Sequence, residues 1–466
     1  MTSVEGIVTG PYSWEAGLEP EARDQISIIY NAFAEKGCEL EVQTAGGWLD
    51  HMYARGQILV RSEYLRRVLE ILQPEGRPEE DPDRPQYDPG AVEKNPDLVE
   101  PVIAGVVLLR LNETHHPRVP DALTLIDRYL GRGVATPNHV LTVQSGDVGG
   151  CPATEPQQVY DQIEPYPSVC QDGGGRGVLV YLADTGLLPD PAAGHPWLAG
   201  VRMGNPAEDE DSGSGIQPIP PYTGHGTFVA GVTRCVAPET DIIVTNAFAV
   251  AGSTLESDLV PRLVAALGRG VDIFHLTIAA PTRYDLPLIA FEAWLRLLRQ
   301  YKGVAVVVAA GNSGSRRPMW PAAFSEVVSV GALAADWRSR ASFSNFGGWV
   351  DVYAPGRDLI NAYAKGLYEC KIAPYTGDPR RFHGMAMWSG TSFSTPIVTG
   401  LIAARMSRTG ENGREAAAAV LAEARRQAIP GVGAILLPCC DGDGRRERCR
   451  PVSLPGCGCE RRGCDC

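Results

Sequence analysis

Three short patterns set a carboxylate, an imidazole and a hydroxyl at the edges of apolar runs. Ala183-Asp-Thr-Gly closes the run Val178-Leu-Val-Tyr-Leu-Ala, and Gly224-His-Gly-Thr leads into Phe228-Val-Ala-Gly-Val. Ser389-Gly-Thr-Ser-Phe-Ser-Thr-Pro leads into Ile397-Val-Thr-Gly-Leu-Ile-Ala-Ala. A serine hydroxyl is a weak nucleophile near neutral pH and needs a base to take its proton. Imidazole suits that task, and a buried carboxylate fixes its tautomer and steadies the imidazolium that forms. Asp184, His225 and Ser392 supply these groups in that chain order. Gly224 and Gly226 leave room beside His225, and Gly390 permits a tight turn before Ser392. A helix starting at Ser392 sets its backbone N–H, and the positive end of the helix dipole, beside a developing oxyanion. Asn312, in Ala310-Gly-Asn-Ser-Gly at the end of the run 304–310, offers a side-chain amide as a second oxyanion donor.

These groups need a scaffold that holds strand ends together. Apolar runs without alternation recur at 178–183, 242–245, 273–278, 304–310 and 327–330, the pattern of strands buried on both faces of a parallel sheet. Helix-like stretches lie at 255–267, 286–300 and 414–427. The expectation is a doubly wound, mostly parallel α/β domain over residues 173–430, with functional loops at the carboxyl ends of its strands. Upstream, residues 57–150 read as a small α+β domain. Its elements are a strand at 57–61, a helix at 64–72, a Pro- and acid-rich loop at 74–100, a strand at 102–111, a helix at 120–130 and a strand at 138–143. Residues 1–56 read as an acidic, partly disordered leader, 151–172 as a linker and 431–466 as a Cys-rich tail.

Taken together the motifs resemble the subtilase (subtilisin-like serine protease, peptidase S8) family over about residues 170–430. Asp-Thr-Gly, Gly-His-Gly-Thr, Gly-Thr-Ser-x-x-x-Pro and Ala-Ala-Gly-Asn all match. A fifth match is Phe343-Ser-Asn-Phe-Gly followed by Val352-Tyr-Ala-Pro-Gly. Each is weak alone, but five in order are specific. The resemblance implies a serine endopeptidase that needs no cofactor, acts on proteins or peptides and works through an acyl-enzyme. It also implies that substrate strands pair with edges at Gly252-Ser253 and Thr277-Ile278-Ala279. Ala279 stands where relatives usually have Gly, and Met319 falls near the floor of the first specificity pocket, which predicts a shallow pocket for small or medium apolar side chains. The stretch 231–238 leaves little room for the loop that holds calcium in many relatives, so no metal is expected. The family's second histidine is Phe228 here. The order β-α, loop, β-α-β is similar to the propeptide domain of many subtilases. It implies an internal inhibitor whose last strand enters the cleft, and a self-processed zymogen with its processing site within 144–171.

Other readings are excluded on simple grounds. A net charge of −13 with no basic stripe argues against a nucleic-acid partner. No basic-then-apolar leader is visible, and no run approaches the roughly 18 apolar residues of a membrane helix, so the expected location is cytoplasmic with no membrane partner. Of twelve cysteines, Cys38, Cys151, Cys170, Cys235 and Cys370 are scattered and read as reduced thiols. The other seven, from Cys439 onward, are dense enough for zinc or copper; the lack of a C-x-x-C pair tips the reading towards a disordered, redox-sensitive tail and leaves the metal site as its alternative. Asp211, in Glu208-Asp-Glu-Asp-Ser-Gly, reads as a solvated loop residue, which removes an aspartic dyad with Asp184. His275 reads as a core residue, and His115, His116 and His195 as surface residues. A catalytically silent peptide-binding protein on the same fold has no need of all four catalytic groups.

Overall fold

The computed structural model describes residues 18–46, 48–72, 99–111, 118–143, 155–160, 164–211 and 213–438. Residues 74–98 of the expected loop at 74–100, together with His115, His116, Cys151 and the Cys-rich tail from Cys439, lie outside the described residues.

Seven parallel strands form the central sheet, in the order β13-β12-β11-β10-β6-β8-β7. They are β6 (Leu179–Asp184), β7 (Arg202–Met203), β8 (Asp241–Asn246), β10 (Ile273–Leu276), β11 (Ala305–Ala309), β12 (Val328–Leu333) and β13 (Val352–Pro355). Side chains alternate across this sheet, so a continuous apolar run fills two cores. Val180, Leu182, Val244 and Val307 pack with Phe228 and Val229 of α4 (His225–Val236) and with Ile397 and Val398 of α7 (Thr391–Thr409). Tyr181, Ala183, Phe274 and Val308 face the other way, onto Leu259 and Leu263 of α5 (Glu256–Leu267) and Phe291 and Trp294 of α6 (Ile289–Leu298). The chain then closes with α8 (Gly413–Arg426), opened by a capping box in which Asn412 and Glu415 satisfy each other's backbone N–H. Between β13 and α7 lies an antiparallel hairpin, β14 (Leu359–Glu369) and β15 (Pro379–Trp388).

The N-terminal unit is an antiparallel sheet built from β1 (Leu40–Ala45), β2 (Trp48–Arg61), β3 (Val99–Ile103), β4 (Val106–Arg110) and β5 (Ala135–Thr142). One face carries α2 (Leu65–Ile71) and α3 (Val119–Leu130), packing Ile58 and Val60 against Val68, Leu123 and Ile126. The opposite face presses Leu59, Val106 and Leu108 onto the same core as α5 and α6. The sheet does not end within its own unit. Its last strand, β5, pairs antiparallel with β9 (Ser253–Leu255) of the following domain.

Two expectations need correcting. Residues 18–56 are not a loose leader, since they hold α1 (Pro20–Glu35), β1 and the first half of β2. Proline fits the first helical turn, and buried Ala22, Ile26, Ile29 and Phe33 recur at helical spacing, the last three packing with Leu40, Val42 and Met52. The acidic composition hid that stripe. The stretch 102–111 is not one strand but the β3–β4 hairpin, turned at Gly105 with φ 93°.

Candidate active site

Asp184 is the last residue of β6, His225 the first of α4 and Ser392 the second of α7. Strand ends and helix starts leave backbone groups free of the ladder, which is where an α/β sheet builds sites. His225 Nδ1 donates to Asp184 Oδ1 at 2.6 Å, and both residues are fully buried. Asp184 Oδ1 also accepts from the Thr185 backbone N–H at 2.8 Å, and Oδ2 from Thr277 Oγ1 at 2.6 Å. Burial works against the carboxylate, but the His225 charge and the three hydrogen bonds outweigh it and hold Asp184 below its ordinary range. The imidazole packs against Phe393, ring centroids 5.2 Å apart, and edge-on to Trp388 at 5.5 Å. Phe228 lies beneath the same two rings.

The flanking glycines have specific reasons. Gly224 precedes the helix at φ 81°, where a β-carbon would also meet Tyr363 at 3.1 Å. A β-carbon at Gly226 would run into the Gly186 carbonyl and sit 3.2 Å from Asp184 Cβ, so only glycine lets the helix start press on the turn after Asp184.

Asn312 is fully buried at the end of β11, and its Oδ1 accepts from the Thr391 backbone N–H at 2.8 Å. That bond fixes the amide plane and brings Asn312 to the start of the helix bearing Ser392. Asn345, inside the Phe343-Ser-Asn-Phe-Gly motif, braces this loop. Its Nδ2 donates to Ala310 O at 2.9 Å, while its Oδ1 accepts from Ser313 Oγ at 2.7 Å and from Ser315 N at 3.0 Å.

β5 runs past this constellation, paired with a segment on each side. Thr142 N donates to Ala279 O at 3.3 Å, and Ala279 N to Thr142 O at 3.0 Å. On the other side Val143 N donates to Gly252 O at 2.8 Å, and Thr142 stands opposite Ser253. Ser392 Oγ donates to Val143 O at 3.3 Å, while His225 Nε2 has no hydrogen-bond partner among the described residues. Ile278 is buried in one core with Leu141 and Val143. Met319 is buried, next to Trp320, which pairs with Ala280.

The structure therefore brings together Asp184, His225, Ser392 and Asn312, with Gly252, Ser253 and Ala279 lining one strand. Thr277 does something else as well, because its hydroxyl holds Asp184. His275 is a core residue whose Nδ1 lies 2.8 Å from Thr399 Oγ1, and burial pushes it down to about 3. His195 is buried against Trp197 rather than on the surface. Asp211 is not solvated but buried, with Gly213 N at 3.0 Å and Gly224 N at 2.6 Å from its oxygens. Since backbone N–H groups take both oxygens, no dyad with Asp184 arises. Cys38, Cys170, Cys235 and Cys370 are free thiols.

Residues 175–432 match the family model described as the subtilase family, Peptidase S8. The chain is 31% identical over 252 residues to an intracellular serine protease of Paenibacillus polymyxa, covering 51% of this chain and 69% of that protein. It is 32% identical over 272 residues to a thermophilic serine proteinase of Bacillus sp. (strain AK1), covering 56% of this chain and 59% of that one. In fold it resembles fervidolysin from Fervidobacterium pennivorans, a keratinolytic enzyme related to subtilisin, with a TM-score of 0.54 at 18% identity, over 86% of this chain and 62% of that one.

Proposed function

The chain is a subtilisin-like serine endopeptidase of the subtilase family, and on that premise we propose that Asp184, His225 and Ser392 are its triad and that residues 18–143 hold it as a zymogen. The observation that carries this reading is the seating of Val143 on Ser392 Oγ, at the end of a strand gripped from both sides by Gly252–Leu255 and Ala279.

In the working enzyme Ser392 Oγ attacks a peptide carbonyl carbon while His225 Nε2 takes its proton. His225 then returns that proton to the leaving amine, and water repeats the sequence on the acyl-enzyme. Asp184 holds the ring with Nδ1 protonated. The Asn312 amide and the Ser392 backbone N–H receive the oxyanion. Protein or peptide substrates enter as a strand between the edges that β5 occupies, using Gly252, Ser253, Thr277, Ile278 and Ala279. Met319 closes the floor of the first pocket, which favours small or medium apolar side chains.

Latency fits the fastening of the N-terminal unit. Beyond the shared apolar core, Arg61 pairs with Glu292 at 2.5 Å, Asp127 with Arg283 at 2.8 Å and Asp50 with Arg317 at 2.9 Å. Asp24 of α1 accepts from Ala373 N at 3.1 Å, in the turn of the β14–β15 hairpin. No helix among the described residues is long and apolar enough to cross a membrane. We place the enzyme inside the cell, as the name of the Paenibacillus relative has it for that protein.

The test is intact mass spectrometry with and without a fluorophosphonate probe, beside Ser392→Ala. One adduct on the native chain and none on the variant supports the triad. An active enzyme that labels elsewhere overturns it.

A further inference from the structure

Asp211 joins the two turns that carry Asp184 and His225. Its Oδ2 accepts the backbone N–H of Gly224, the residue immediately before His225, at 2.6 Å. Its Oδ1 accepts from Gly213 N at 3.0 Å, closing its own loop. Its backbone N–H donates to Leu187 O at 3.1 Å, three residues beyond Asp184, and Leu187 N returns a bond to Asp209 O at 3.1 Å. The contact is too close for any side chain at Gly186, where a β-carbon would lie 2.5 Å from Asp209 O and 3.1 Å from Asp211 N. A lighter cross-link runs beside it, from Gly226 N to Thr185 Oγ1 at 3.2 Å and from Thr185 Oγ1 to Tyr222 O at 3.3 Å.

Neither oxygen of Asp211 is needed by the chemistry as described, yet the carboxylate is buried at 4% exposure. Burying a charge is costly unless hydrogen bonds offset it, and here those bonds come from two backbone N–H groups, one of them immediately before His225. We propose that ionised Asp211 is a positioning residue that locks the start of the His225 helix to the turn following Asp184, fixing the imidazole against its carboxylate. The proposal rests on the triad reading given above.

Three groups face it: Asp184 from β6, His225 from α4 and Tyr363 from β14, whose ring packs on Gly224. Burial pushes the Asp211 carboxyl up to about 6, against the pull of the two N–H groups; Asp184 raises it further and His225 lowers it. A protonated Asp211 has only one oxygen left as a good acceptor, so one of the two backbone bonds goes.

The experiment is the pH dependence of kcat/KM for a peptide p-nitroanilide. It compares the full-length protein as purified with Asp211→Asn, with Glu208→Gln as a neighbouring-charge control and with Ser392→Ala. Mass spectrometry records the cleavage state of each sample. Asp211→Asn is expected to lose about tenfold or more at its optimum, the scale of a hydrogen bond to a charged group. Its acid limb is expected to flatten, because the amide has no proton to gain. The native acid limb is expected to steepen towards a slope of about two, for His225 and Asp211 together, and the variant's to have a slope of about one. A merely structural role would lower the rate without flattening the limb. Superimposable limbs of slope about one overturn the proposal. Should Asp211→Asn fail to fold, the slope of the native limb decides alone. Activity surviving in Ser392→Ala would instead overturn the triad reading.

Discussion

Ser392 Oγ donates to the carbonyl oxygen of Val143, 249 residues upstream, at 3.3 Å. The proton that His225 would take in catalysis is thus directed at the backbone just after β5, while His225 Nε2 has no described partner. A hydroxyl that donates to a carbonyl oxygen does not aim a lone pair at a carbon, so this is a bound arrangement rather than an attacking one.

Self-cleavage is therefore expected within the first two peptide bonds after Val143, in the native chain and not in Ser392→Ala. Intact masses and the N-terminal sequence of the larger fragment check this, and gel filtration should find the two fragments still together. Cleavage confined to bonds beyond residue 150 would mean that β5 is not the processed strand.

Thr142 gives the matching loss. Thr142→Pro removes the N–H that reaches Ala279 O, and one backbone bond is worth about 1 kcal/mol net. Self-cleavage should slow about fivefold, with little change in the rate on a separate peptide once processed. An unchanged single-turnover rate would show that the Ala279 edge does not grip the strand.

How far the sequence already contained this arrangement differs from element to element. The strands ending at Asp184 and Ala309 and the helix starts at His225 and Ser392 were legible, because glycine pairs and long apolar runs mark them within a residue or two. The edges Gly252-Ser253 and Ala279 came through resemblance, not periodicity. What stayed hidden depends on tertiary context. Asp211 sits among four consecutive acidic residues, and nothing local says that two backbone N–H groups draw it inside. The apolar stripe of α1 lies in an acidic stretch, and Gly105 is a single turn signal inside an apolar run. Asn345 was visible as a motif, but its task of bracing the Asn312 loop emerges only when β11 and the 343–347 segment meet.

Asn312→Ala tests the oxyanion role. Its Oδ1 is pinned to Thr391 N, so truncation removes an amide already oriented for the developing charge. The expected fall in kcat is about 10²–10³, a magnitude borrowed from a relative in the same family, with KM little altered. A fall below tenfold in a folded variant would assign the oxyanion to backbone donors alone.

Thr277→Val is nearly isosteric and removes the 2.6 Å bond to Asp184 Oδ2. A hydrogen bond to a charged group is worth about 1.5–3 kcal/mol, so kcat/KM should fall about tenfold to a hundredfold. Thr277→Ser should recover most of it. If serine rescues nothing, packing of the methyl group rather than the hydroxyl is what Asp184 needs.

Glu256 and His139 set a stability signature at the join of the two units. Glu256 is fully buried, its Oε1 takes the N–H of Ala290 at 2.7 Å and of Phe291 at 3.3 Å, and its Oε2 lies 4.0 Å from His139 Nδ1 with no hydrogen bond made at either atom. Burial pushes Glu256 up to about 8, against those two N–H groups, and holds His139 well below its ordinary value and so neutral. A carboxyl whose folded value is raised contributes stability that is complete below its unfolded value and is lost as pH rises through the folded one. In the uncleaved Ser392→Ala chain, Tm should therefore fall as pH rises from the ordinary carboxylate range to about 8 and level off above it. Adding Glu256→Gln should remove part of that fall, since the amide oxygen keeps both backbone bonds and the amide has no carboxyl proton to lose. Parallel Tm curves for the two proteins would mean that Glu256 is already ionised near pH 6 and that its burial is relieved in some other way.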